Sequence, residues 1–308
     1  MNARWSVNGS RLQVDLEDIF RRVGAEAALH IREVDGDREL GREPDDLVVT
    51  ASVFKVPVLL ELVRQAAAGE IDLTERTVVP AKRRSPGPTG IAAMLDDVEL
   101  SLRDLALLMM SVSDNTATDV LMERIGVDRI AATLASLGLE RTVVAEDCAA
   151  LLAGLVADLG FEALDEAVAA VPELEPALLA RARALVAAET NRTTPREMTT
   201  LLSLIWRDEA GPAEACAEVR RIMALQVWPH RLMSGFSDRV VVAGKTGTLP
   251  GIRNEVGVVT YPDGSRYAIA VFTRARTYTF RQPAIDAAIG RAAYFGVEAI
   301  RAGRVPTP

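Results

Sequence analysis

Glu255-Val256-Gly257-Val258-Val259-Thr260-Tyr261-Pro262-Asp263-Gly264-Ser265-Arg266-Tyr267-Ala268-Ile269-Ala270-Val271-Phe272-Thr273 is the stretch that decides the fold. Two apolar, β-branched runs flank a Pro-Asp-Gly turn, which predicts a hairpin with strands over Glu255 to Tyr261 and Arg266 to Thr273. Val240 to Ala243 reads as a further strand before it. At the other end of the chain, Ala27 to Val34 has a strand pattern, and Asp35-Gly36-Asp37 turns it into a second short strand. Between these ends, from Ala51 to about Leu225, the period is helical with loop breaks. Gly69, Gly126 and Gly138 serve as helix ends, and Thr194-Pro195 as a capped helix start. Val14 to Val23 and Pro283 to Arg301 are amphipathic helices. The prediction is an α+β fold: one antiparallel sheet of about five strands drawn from both chain ends, flanked by helices, with an inserted all-helical lobe. Residues 1–50 and 196–308 then form the α/β lobe, and 51–195 the helical one.

The composition is ordinary for a globular protein, with 49% hydrophobic and 25% charged residues. A net charge of −8 argues against nucleic acid or an anionic membrane surface as partner. Met1 to Arg11 lacks an apolar core of signal-peptide length, and Ala149 to Leu159 is too short to span a membrane and is broken by Asp158. The expectation is a cytoplasmic protein, monomeric or weakly oligomeric, with an exported protein trimmed of its leader as the alternative. Cys148 and Cys216 are far apart in helix-like surroundings, which favours two buried free thiols over one disulfide. No Cys-x-x-Cys or metal-spaced histidine pair occurs, so no metal or cofactor is expected, and His30 and His230 read as packing residues.

Lysine is rare: of 35 basic residues only Lys55, Lys82 and Lys245 are not arginine. Unlike arginine, a lysine can lose its proton when its surroundings disfavour the charge. Lys55 ends Ser52-Val53-Phe54-Lys55, at the start of a helix whose next residues, Val56-Pro57-Val58-Leu59-Leu60, are apolar. The three-residue spacing puts hydroxyl and amine on one face, and burial beside a second ammonium would lower the amine's pKa. Lys245-Thr246-Gly247-Thr248 closes a strand and supplies that second ammonium. Ser113-Asp114-Asn115 lies between the two, after the apolar helix Leu105 to Met110. Each triplet alone has a plain structural reading, as helix cap or strand break; together, in this order, they point to an activated serine nucleophile. In that reading Ser113 relays a proton, Asn115 binds Lys55 and substrate, and Gly247 lets substrate lie along the strand. The backbone N–H groups of Ser52 and Thr248 form an oxyanion hole.

With these motifs the chain resembles the serine β-lactamase and penicillin-binding-protein superfamily, most of all its class A branch, from about Ala25 to the C-terminal helix. Ser113-Asp114-Asn115-Thr116-Ala117, Thr193-Thr194-Pro195 and Gly251-Ile252-Arg253-Asn254-Glu255 add to the likeness. The resemblance implies a small-molecule acyl substrate, a β-lactam amide or an ester. It makes Ser52 the acylated nucleophile, Lys55 its base or proton relay, Ser113 and Asn115 lining residues, and Lys245, Thr246 and Thr248 the binders of the substrate's carboxylate and carbonyl side. Arg253 would assist with that carboxylate.

The chain also departs from class A. Those enzymes carry a Glu-Pro-x-Leu-Asn run on an Ω-shaped loop, whose glutamate activates the deacylating water. Here the region from about 147 to 191 is enlarged and reads as two or three helices, with a stripe at Leu151, Leu152, Leu155, Val156 and Leu159. Its local match, Glu175-Pro176-Ala177-Leu178, is followed by Leu179, which cannot orient water, so Glu175-Pro176 reads as a helix start. Glu146, Asp147 and Glu189 are weaker substitutes. These departures resemble β-lactamase-like proteins encoded beside antibiotic-biosynthesis genes. They leave three readings: a hydrolase with slow deacylation, a cytoplasmic biosynthetic esterase or acyl transferase, and a β-lactam-binding protein without turnover.

Overall fold

The computed structural model describes residues 16–279 and 281–303. Val14, placed above in the first helix, lies outside them. The chain enters through α1 (Leu16–Arg21), β1 (Ala25–Glu33), β2 (Glu39–Arg42) and the two-residue β3 (Val48–Val49). A 3-10 turn over Ala51–Phe54 leads into α2 (Lys55–Ala67). Next come β4 (Arg76–Val79), β5 (Val98–Ser101), α3 (Leu102–Ser111), α4 (Asn115–Ile125) and α5 (Val127–Ser136). The enlarged segment holds α6 (Cys148–Asp158), α7 (Leu164–Ala170) and the single turn α8 (Pro176–Leu179). β6 (Arg192–Thr193), α9 (Pro195–Trp206) and α10 (Ala213–Met223) follow, then β7 (Val241–Leu249), β8 (Ile252–Thr260), β9 (Arg266–Ala275) and α11 (Pro283–Arg301).

Five strands form one antiparallel sheet in the order β2-β1-β9-β8-β7, which joins both chain ends as expected. The hairpin pairs Val256 with Ala270 and Val259 with Tyr267 across β8 and β9. Its strands read as nearly continuous apolar runs because both faces are covered. Ala268, Ala270 and Phe272 point into the core shared with the helical lobe, whereas Tyr267, Ile269 and Val271 point into the core under α1 and α11. That alternation is the period-two geometry of a strand. α9 lies on β1 and β9, and its Thr199 Oγ1 is 2.6 Å from His30 Nδ1, so His30 is a core histidine. Burial, foremost, pushes its pKa from 6.5 down to about 4.

The helical lobe is not purely helical. β4 and β5 pair as a hairpin, and β3 pairs with β6. The Arg76-Thr77-Val78-Val79 run is short, and Val78 is 58% exposed, so the segment lacks the apolar face by which a strand is recognised in sequence. The enlarged segment builds its own small core: Leu151, Leu155, Leu159, Val171, Leu179 and Leu185 close on Val49 and Ala51. Cys148 and Cys216 are free and buried. Among the described residues no helix is long and apolar enough to cross a membrane.

Candidate active site

Ser52 lies in the 3-10 turn that precedes α2, held from several sides. The Thr50 N–H and Thr50 Oγ1 both donate to Asn191 O, at 3.0 and 2.9 Å. Asn254 Nδ2 donates to Val49 O at 2.8 Å and Thr50 O at 3.2 Å. Ala51, immediately before the serine, adopts a left-handed backbone with φ 46°, as does Ser113 with φ 63°. Non-glycine residues held there carry strain that the surrounding structure must over-determine. Both flank or form the predicted site.

Lys55 starts α2 and is fully buried. Its Nζ donates to Ser113 O and Asn115 Oδ1, each at 2.9 Å, with longer contacts to Ser113 Oγ at 3.3 Å and Asp114 O at 3.5 Å. Lys245, also fully buried, donates to the same Ser113 Oγ at 2.9 Å and to Thr246 O at 2.9 Å. The Ser113 hydroxyl therefore lies between the two lysines. Among the described residues neither lysine forms an ion pair. Burial is the largest influence on Lys55 and lowers its pKa; burial and then repulsion from Lys55 lower that of Lys245 still further below the ordinary value. A neutral amine has two N–H groups and one lone pair. The two 2.9 Å acceptors use the N–H groups of Lys55 and leave the lone pair for a proton. Ser52 Oγ makes no hydrogen bond to Lys55 in this structure; contacts of this kind tighten when substrate binds.

Gly247 packs against the Ser52 turn. A Cβ there would lie 2.5 Å from Thr50 O and 3.2 Å from Ser52 N. The missing side chain lets β7 close on the Ser52 turn. Thr246 N donates to Gln226 Oε1 at 2.9 Å, and Gln226 Nε2 donates to the buried Glu255 at 2.6 Å, which fixes the strand from behind.

Arg253 Nε donates to Asp286 Oδ1 at 2.9 Å and its Nη2 to Asp286 Oδ2, a buried carboxylate of α11. The guanidinium that reaches the site is Arg231, which the sequence reading missed. It is buried and donates to Thr248 Oγ1 at 2.7 Å, Gly247 O at 3.0 Å, Asn254 O at 2.6 Å and Asp286 Oδ1 at 2.7 Å. No periodicity marks the Trp228-Pro229-His230-Arg231 segment, and its partner Asp286 is remote in sequence, so only the folded chain brings them together.

Glu175 is exposed, and its backbone carbonyl accepts from Leu178 N at 2.9 Å, as a helix start does; Leu179 is fully buried in the segment's core. Glu146 is tied down elsewhere: Thr190 Oγ1 donates to its carboxylate at 2.7 Å, and the Asn191 side chain bonds its backbone N–H and carbonyl. Asp147 caps α6 through Ala150 N at 2.8 Å, and Glu189 is exposed. Asp114 and Asp119 approach Lys55 but hold backbone: Asp114 accepts from Ile91 N and Ala117 N, Asp119 from Cys148 N and Ala149 N.

A family model described as "Beta-lactamase enzyme family" matches residues 11–295. A curated relative, the "Beta-lactamase regulatory protein BlaB" of Streptomyces cacaoi, is 30% identical over 303 residues, covering 93% of this chain and 96% of its own. Among solved structures, a β-lactamase from Sphaerobacter thermophilus superposes with a TM-score of 0.73 at 24% identity, over 95% of this chain and 97% of that one. An acyl-enzyme complex of a PBP-A point mutant with penicillin G gives 0.71 at 22% identity over 92% and 96%.

Proposed function

We propose that this chain, which belongs to the β-lactamase enzyme family, is a serine acyl-enzyme that β-lactam amides or activated esters acylate at Ser52 and that releases the acyl group slowly. The observation that carries the reading is the buried Lys55–Ser113–Lys245 cluster, assembled beside Ser52 without an ion-paired carboxylate. Neutral Lys55 accepts the Ser52 Oγ proton as the oxygen adds to the substrate carbonyl. In this reading the Ser52 and Thr248 N–H groups receive the oxyanion. Ser113 passes its proton to the departing nitrogen or oxygen and is resupplied through the lysines. Lys245, Thr246 and Thr248, the last held by Arg231, bind the substrate's carboxylate side.

A second reading, a β-lactam sensor that is modified once, is favoured by the regulatory description of the Streptomyces cacaoi relative. A chromogenic cephalosporin at stoichiometric and excess concentrations separates the two. A burst of one equivalent followed by a slow steady phase supports slow hydrolysis, and a burst with no further turnover supports the sensor. The absence of any burst or labelling would overturn both.

A further inference from the structure

A cavity of about 540 Å³ opens where α1, the start of β1 and the turn after β2 meet the ends of β8 and β9. That volume suits a small molecule. Ser52, Lys55, Ser113 and Lys245 do not line it, so it is distinct from the site above. Leu47, Val48, Ile252 and Phe272 give it an apolar wall. Four arginines line it as well, and they differ in their partners. Arg21 and Arg42 are ion-paired with Asp18 and Glu17 of α1. Arg274 donates through Nη2 to Leu185 O at 2.6 Å but, among the described residues, forms no ion pair. Arg276 has neither an ion pair nor a side-chain hydrogen bond among the described residues. Its backbone N–H donates to Gly24 O at 2.9 Å and extends the β1–β9 ladder by one residue. Arg274 and Arg276, two apart on an extended strand, therefore project from the same face. Glu26, the cross-strand neighbour of Arg274, lines the cavity with Glu43 and Asp46, and none of these three carboxylates has a cationic partner among the described residues.

We infer that this cavity binds a small zwitterion with an apolar body, an apolar amino acid or dipeptide, its carboxylate on Arg274 and Arg276 and its ammonium on Glu26, Glu43 and Asp46. The unpaired charges decide the class of ligand. A guanidinium fork matches a carboxylate in shape and charge. A simple carboxylic acid would meet those two guanidiniums but also three unpaired carboxylates. A simple amine would leave both guanidiniums without a partner. A molecule carrying both charges engages both sets, and its side chains lie on the wall of Leu47, Val48, Ile252 and Phe272. The inference is independent of acylation at Ser52.

Leucyl-leucine is the probe, titrated calorimetrically into the full chain at neutral pH. Its N-acetyl form, which lacks the ammonium, and its C-terminal amide, which lacks the carboxylate, are titrated beside it. Leucyl-leucine is expected to bind, and each blocked form about tenfold or more weaker, the loss of one hydrogen bond between charged groups. Arg276→Gln should weaken leucyl-leucine about tenfold and leave the amide's affinity as it was. The double variant Glu43→Gln, Asp46→Asn should show the converse: a weaker dipeptide and an unchanged N-acetyl form. All three positions are exposed, so these variants keep the fold. Lys245→Met, which alters the Ser52 site alone, should bind leucyl-leucine as wild type does. Absence of binding, equal affinity for the three peptides, or full affinity in Arg276→Gln would overturn the inference. A comparable loss in Lys245→Met would overturn it too, by placing the peptide beside Ser52.

Discussion

Gly247→Ala probes how the nucleophile is held against β7. The added methyl carbon would lie 2.5 Å from Thr50 O, whereas such atoms do not approach within 3.0 Å, so strand and turn must part by at least 3.0 − 2.5, about 0.5 Å. The obstacle is backbone rather than the end of a flexible side chain. Ala51 Cβ and Ser52 N, each at 3.2 Å, lie just behind it. Forced overpacking of this kind costs about 1–3 kcal/mol of stability. The displacement also separates the Ser52 and Thr248 N–H groups that are to share one oxyanion. A misplacement of about 1 Å costs roughly 100-fold in rate, so half of that predicts about a tenfold loss. The assay is the second-order rate of labelling by a fluorescent penicillin, read alongside thermal denaturation. Gly264→Ala, in the distant hairpin turn, is the control: nothing lies within 4 Å of its Cβ, and only its φ of +85° is strained. It should lose stability and label at the wild-type rate. A folded Gly247→Ala protein that labels within a factor of about two of wild type would refute the reasoning.

Lys55→Met should lower labelling by about 10²–10⁴-fold, the usual contribution of a positioned base. In wild type the labelling rate should rise with pH, because the reactive amine is the unprotonated form, and its midpoint should fall below the ordinary lysine value of 10.5 since burial depresses it; stopped-flow labelling across pH checks both. Asp286→Asn leaves the buried Arg231 and Arg253 guanidiniums without their shared carboxylate and should cost about 3–5 kcal/mol, measured by denaturant unfolding. Burial works against the Asp286 charge, but hydrogen bonds and charge from Arg253 and Arg231 prevail and hold its carboxyl below 3.8. Its contribution is therefore present above that pH and lost as pH falls through the lowered value, so acid should narrow the gap between variant and wild type.

Much of this was legible in the sequence where local pattern and tertiary role coincide. The Pro262-Asp263-Gly264 hairpin declares itself, because turn chemistry and apolar strands agree. Thr194-Pro195 does so too, the Thr194 hydroxyl accepting from Glu197 N at 3.1 Å. Lys55 and Lys245 stood out because the chain has only three lysines among 35 basic residues, and these two fall within short motifs. What the sequence hid depends on partners far away in the chain. Arg231 and Arg253 are equivalent as letters; both bind Asp286, and only the folded chain shows Arg231 donating to Thr248. Gly247 was legible as a glycine with a purpose, but only the Thr50 carbonyl shows which neighbour needs the space. Cys148 reads as a buried thiol, and only the folded chain shows its backbone N–H bound by Asp119 of another helix. The β4–β5 hairpin escaped because an exposed edge strand has no apolar face to betray it.

Acylation at Ser52 is the claim on which the rest depends, and intact-mass measurement after incubation with penicillin G tests it most directly. The account predicts that wild type gains one ligand mass and Ser52→Ala gains none. An unmodified wild-type protein, or an equal mass gain in Ser52→Ala, would contradict it.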